Sequence, residues 1–191
     1  METLPLAIAN GWGCGISAYA VVLIAGLVGR SGVADTPEVL QRTDVLVAIE
    51  FVADKIPFVD SAWDSVHTFV RPAIGGVLGA MLAGDASTLG QAVAAAGTGG
   101  IALASHLSKG GIRLAVNALP EPVTNVAVSL TEDGAVAGVT FLAWEHPWVA
   151  AAIALVLLVA GAGLAVFLVS RLRRGLTRLQ GGRVRRPEGP P

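Results

Sequence analysis

Three long stretches of this chain carry no Asp, Glu, Lys or Arg: Thr3 to Gly29, Ala86 to Ser108 and His146 to Ser170. Each is long enough to cross a hydrocarbon layer of roughly 30 Å, which takes about 20 helical residues. A soluble core helix of that length without charge would be exceptional. The expected fold class is therefore an all-α, polytopic helical membrane protein, and 191 residues make one membrane domain.

Prolines and glycines divide the rest. The first helix is expected from about Trp12 to Gly29, with Gly11 and Gly15 four apart so that a neighbouring backbone can come close. A turn-rich linker follows, and Pro37 opens a second helix over roughly Val39 to Lys55. Pro57 opens a third segment reaching Val70, and Pro72 interrupts it. Pro72 to Gly84 is too short to span alone, so it must continue the preceding segment or be re-entrant. Gly75 and Gly79 again suit tight contact. A small-residue helix from Thr88 continues or bends at Gly110-Gly111 and stops at Pro120. Short segments then run over Val123 to Thr131 and Ala135 to Trp144, separated at Glu132-Asp133-Gly134, before a last span from Pro147 to Ser170. The proline-broken short helices show a weak two-fold internal repeat: Pro57, Asp60 and Asp64 match Pro122, Asn125 and Ser129 at a constant offset. Such symmetry with broken helices points to transporter folds.

The charge is distributed unevenly. Seven arginines and one acid, Glu188, follow Ser170, so a formal net charge of −1 divides into a membrane body of −7 and a tail of +6. The expected division is a helical membrane domain over 1–170 and a basic, disordered tail over 171–191. The positive-inside rule puts that tail in the cytoplasm, for a multi-pass protein of the inner (plasma) membrane. The N-terminus has no basic leader region, so a cleaved signal peptide is not expected. Lone Cys14 reads as a small packing residue. Trp63 also reads as packing, and Trp12, Trp144 and Trp148 as interface anchors.

Much of the remaining charge lies inside apolar, helix-patterned segments, where it is costly unless paired, solvated or used. Asp60, Asp64, His67 and Arg71 fall at i, i+4, i+7 and i+11, on one helix face. Glu50 and Asp54 are i, i+4 on the helix before, followed by Lys55. In the second half His106, Lys109, Arg113 and Asn117 share a face, and Asn125, Ser129 and Glu132 form a fourth stripe. The candidate ion- or substrate-binding residues are Glu50, Asp54, Asp60, Asp64, His67, Asn117 and Asn125. Lys55, Arg71, Lys109 and Arg113 are their expected charge partners, with Arg113 opposite Asp60 or Asp64. Carboxylates gathered in one cavity need protons, a metal ion or these cations to compensate them.

Three readings follow. The first is a transporter or channel-like protein for a small cation or proton. The second is a scaffold whose buried charges fix helix register without a substrate. The third and weakest is an intramembrane enzyme with Asp64 or His67 as base, because no G-x-S-x-G, H-E-x-x-H or phosphate loop is present. No cofactor is implied. The expected partners are the lipid bilayer and a small cation, not nucleic acid, with oligomerisation open.

Three motifs carry a resemblance. They are G-W-x-x-G-I-x-x-Y from Gly11, then E-F-x-A-D-K-I-P-x-x-D-x-x-W-D-x-x-H-T-x-x-R-P from Glu50, then H-x-x-K-x-x-x-R-x-x-x-N-x-x-P-E-P-x-x-N-x-x-x-S-x-x-E-D from His106. Together the chain over about residues 8 to 170 resembles a family of small bacterial integral-membrane proteins catalogued as a domain of unknown function. The resemblance implies a helical membrane fold and no particular activity. The family's pattern near the start is Ser-Gly-Ile-Asn-Pro-Tyr, whereas Cys14 to Tyr19 reads C-G-I-S-A-Y. That departure argues against a helix break, or a role for a polar residue, at positions 17 and 18.

Overall fold

The computed structural model describes residues 3–33, 36, 59–116 and 122–183, and the side chains of these except at 59–64, 122, 125, 176 and 178–183. Glu50, Asp54, Lys55 and Asn117 lie outside the described residues, as do the side chains of Asp60, Asp64, Trp63 and Asn125. Among the described residues the chain is all-helical, with five helices. They are α1 (Thr3–Arg30), α2 (Val59–Leu82), α3 (Thr88–Val116), α4 (Pro122–Glu145) and α5 (Pro147–Arg183).

Local chemistry sets the ends. Gly32, at φ 74°, closes α1, with Val33 N–H donating to Val28 C=O at 3.3 Å and Gly32 N–H to Gly29 C=O at 3.2 Å. That pair of bonds is the Schellman arrangement, which needs a left-handed residue. Ser87 caps α3, its hydroxyl accepting from Gly90 N–H at 3.2 Å. Pro122 and Pro147 stand first in α4 and α5, where a missing N–H is harmless.

Three helical stretches are long and apolar enough to cross a membrane: Thr3–Arg30, Val126–Glu145 and Pro147–Gly175. This revises the expected set. Ala86 to Ser108, although uncharged, is diluted by Gly, Ser and Thr within α3, while α4 runs unbroken through Glu132-Asp133-Gly134. Of the two arrangements expected for Pro72 to Gly84, the structure has the first: α2 passes through Pro72, and its second half continues the preceding segment. The last helix passes Ser170, where the disordered basic tail was expected to begin, and reaches Arg183.

The helices alternate in direction. Gly11 packs against Thr98 and Ile101, and Gly15 against Ala102 and Ser105, so α1 and α3 run parallel. Gly75 meets Thr98 and Ala102 while Gly79 meets Ala94 and Thr98, so α2 runs opposite to α3. Gly13 meets Val136 and Thr140, while Lys109, bonded to the Ile16 carbonyl, reaches Glu132, so α4 runs antiparallel to α1, and Gly111 against Ala165 with Gly161 against Ser108 sets α5 parallel to α3. Both expected glycine pairs thus sit at close crossings. A methyl group at Gly15 or Gly79 would run into the backbone carbonyl of Ala102 or Ala94. Among the described residues, a helix of 28 or 29 residues preceding one of 24 occurs twice, in the same order and direction.

α1 lies at the centre and touches all four other helices. The molecule is inverted relative to a water-soluble protein. Phe69 is 80% exposed, and Val77, Val93, Val156, Val159 and Phe167 also face outward, while Arg71 and Arg113 are buried. An apolar exterior around a charged interior is what a lipid surround favours. Trp148 is exposed, as an interface anchor would be, but Trp12 is buried in the core because it is on the central helix.

Candidate functional site

The centre of the polar interior is a break in α1. Ser17 is non-helical, with φ −151° and ψ 88°, and it stands at the midpoint of the 28-residue helix. The sequence argued against a break here. Three carbonyls just before or at the break accept bonds from side chains of other helices. Trp12 C=O accepts from Ser105 Oγ at 2.8 Å, Gly15 C=O from Arg71 Nη1 at 3.4 Å, and Ile16 C=O from Lys109 Nζ at 3.0 Å. The carbonyl end of a helical segment carries partial negative charge and orphaned acceptors. Two cationic side chains at that end are the expected complement.

From Gly15 the network runs through α2 and α3. Arg71 Nη1 lies 3.1 Å from His106 Nδ1, and His106 Nε2 lies 3.1 Å from the Thr68 hydroxyl. A guanidinium has no acceptor, so Nδ1 accepts from Arg71, and the ring proton resides on Nε2 and is donated to Thr68. His67, one turn before Arg71, is buried with its ring edge-on to Tyr19, centroids 5.7 Å apart at 80°.

From Ile16 a second run crosses to α4. Lys109 Nζ lies 3.8 Å from Glu132 Oε2, and Arg113 Nη2 donates to the same oxygen at 2.7 Å. Glu132 thus bridges two buried cations and is itself mostly buried, its side chain 14% exposed. The two runs meet at the break, on adjacent carbonyls.

Beside this junction lies a partly open cavity of about 320 Å³ between α1, α3, α4 and α5. Its walls are mainly apolar, with Trp12, Ile112, Leu157 and Leu158 among them, and Lys109 and Glu132 supply its charged end. A second pocket of about 350 Å³ opens between α2 and α3 beside Thr68, His106 and Arg113. Among the described residues no group of three His, Cys, Asp or Glu gathers as a metal site would require.

Four residues named from the sequence, His67, Arg71, Lys109 and Arg113, are therefore buried in one interior. The described carboxylate partner of Arg113 is Glu132 on α4; the expected partners Asp60 and Asp64 have side chains outside the described residues. The sequence reading placed Glu132 in a stripe with Asn125 and Ser129 but did not count it among the candidate binding residues or charge partners. The stripe itself was the signal, since Ser129, three residues before Glu132, is fully buried. Thr68 and the Gly15 and Ile16 carbonyls were missed as well. Backbone groups carry no sequence signal unless a break is foreseen.

No curated protein and no solved structure matches the chain. A family model does match, over residues 4–167, a span that contains the break and every side chain of the network described above. The chain belongs to the family described as a domain of unknown function (DUF4126).

Proposed function

We propose that this protein is a membrane transporter or channel-like protein that moves a small ion, the proton first, through the polar interior around Ser17. The observation that carries the reading is a membrane helix broken at its midpoint, with buried ionisable side chains on its freed carbonyls. Broken helices with ionisable groups at mid-depth are the recurring construction of transport sites. The proton is favoured over a metal ion because a metal ion needs several free oxygen ligands, and at the described junction the Gly15 and Ile16 carbonyls and the Glu132 carboxylate are already engaged by Arg71, Lys109 and Arg113. A proton needs one acceptor at a time, such as the Glu132 carboxylate or a His106 ring nitrogen. The location that goes with this reading is the plasma membrane, with the arginine-rich end of α5 in the cytoplasm.

A scaffold without a substrate is the second reading, favoured by one specific observation: the protein's own side chains bond the carbonyls at the break. A flux assay separates the two. Proteoliposomes carrying a trapped pH dye, with an imposed pH gradient and a potassium diffusion potential, should show proton flux above protein-free vesicles. Glu132→Gln should abolish that flux while the variant remains folded. A parallel screen of Na⁺, K⁺, Ca²⁺ and Mn²⁺ covers the metal alternative. Absence of every flux from well-folded wild type leaves the scaffold reading.

A further inference from the structure

We infer that the break in α1 is a seat for a monovalent cation of the ammonium class, and that the Lys109 ammonium is its built-in occupant. The seat consists of the Ile16 carbonyl at 3.0 Å from Nζ and the Glu132 carboxylate at 3.8 Å. Both are at the negative end of the interrupted helix or face it across the bundle. Lys109 is 3% exposed, so its charge is held by these groups rather than by bulk water. The cavity of about 320 Å³ is lined by Ile16, Lys109 and Glu132 together, so it provides a path to the seat from outside. Carbonyl and carboxylate oxygens accept N–H bonds or ligate bare metal cations, and the contact made here is an N–H bond from Nζ, so a small ammonium with one charge reproduces it. A lysine tethered from α3 meets that description and cannot diffuse away. The inference deepens the transport reading, and rests on it in one respect: a seat filled from within leaves the proton as the mobile charge.

The test uses Lys109→Ala, which empties the seat and leaves its acceptors. The full chain in detergent is melted at matched ionic strength in chloride salts of methylammonium, ammonium, Na⁺, K⁺ and choline. Choline carries the charge but has no N–H donor. Relative to wild type, Lys109→Ala should lose several degrees of Tm in choline and recover at least half of that loss in methylammonium or ammonium. The recovery should saturate with concentration. Wild type should not distinguish these salts. Lys109→Met, whose uncharged stem fills the same space, should be destabilised without rescue. If Lys109→Ala is not recovered folded in choline, extraction and size-exclusion in methylammonium become the readout, and a monodisperse peak only there supports the seat. A Lys109→Ala protein indifferent to every cation overturns the inference. So does equal rescue of Lys109→Met, or a variant misfolded in all salts while Lys109→Gln folds. Flux plays no part in these readouts, so an inactive protein with a rescued melt sinks the transport reading and keeps the seat.

Discussion

Glu132 is the residue on which most of the α3–α4 electrostatics depends. One of its oxygens faces both Arg113 and Lys109, so removing it takes a carboxylate from two buried cations at once, whereas removing Arg113 leaves Glu132 with Lys109. Breaking a buried pair by deleting one partner costs roughly 3–5 kcal/mol, less where the pair retains some solvent access. Glu132→Ala should therefore lower the unfolding free energy in detergent more than Arg113→Ala does. The double variant should fall short of the sum by about 1 kcal/mol or more, measured by chemical denaturation, because the residues touch. Additive losses would show that the 2.7 Å contact carries no coupling. At this scale the sequence was legible where charge meant burial. Arg71, Lys109 and Arg113 declared themselves by standing in apolar, helix-spaced stripes. The assignment of partners was not legible, because four helices offer many oppositely charged neighbours and only packing chooses among them.

Among the elements, α1 is the one whose sequence and structure disagree most usefully. With Ala18 in place of the family's proline, Cys14 to Tyr19 has the composition of an uninterrupted helix, yet Ser17 leaves the helical region. The physical reason is tertiary. Arg71, Lys109 and Ser105 bond carbonyls next to the break, and such bonds from outside compensate a gap in the intrahelical ladder. A residue preceding proline prefers extended dihedrals, which Ser17 already has. Ala18→Pro should therefore be tolerated, with Tm in detergent changing by only a few degrees. Val22→Pro, one turn further into regular helix, should lose about 3 kcal/mol or more. If both prolines proved equally damaging, the break would not be a prepared feature of α1. Element ends were otherwise readable from glycines and prolines, as at Pro122 and Pro147. Helix runs on through Pro72 and through Glu132-Asp133-Gly134 for one reason. Local breakers end a helix in isolation, but α2 and α4 are held by their neighbours along their length, and packing overrides a local preference of a few kcal/mol.

For the whole molecule, the parallel run of α1, α3 and α5 against α2 and α4 fixes a relation between the two ends of the bundle. The start of α1 and the far end of α5 lie on opposite sides. With the arginine-rich end of α5 in the cytoplasm, as proposed above, Thr3 belongs on the other side. Alkaline phosphatase fused after Arg183 should be silent and a fluorescent protein there bright. A cysteine introduced at exposed Leu4 should react with a membrane-impermeant thiol reagent added to intact cells. Labelling of Leu4→Cys only after permeabilisation would reverse the orientation. The membrane class was evident from the uncharged stretches, whereas the direction of each helix was not, because direction depends on which glycine meets which backbone.

That α1 touches every other described helix also bears on the order in which the protein is built. Of the three candidate spans, the one that precedes the others in the chain is the most enclosed, with 67% of its apolar window buried, and the one that follows them, in α5, is the least, at 11%. On leaving the ribosome α1 is thus a core without its shell. It must wait in lipid, with buried Asn10 and Ser17 not yet sheltered, until residues near 100 arrive to meet Gly11 and Gly15. Its lack of charge before Arg30 makes that wait tolerable. The side chains that need company, Arg71, Lys109 and Arg113, all enter later, when the carbonyls of Gly15 and Ile16 are already in place to receive them.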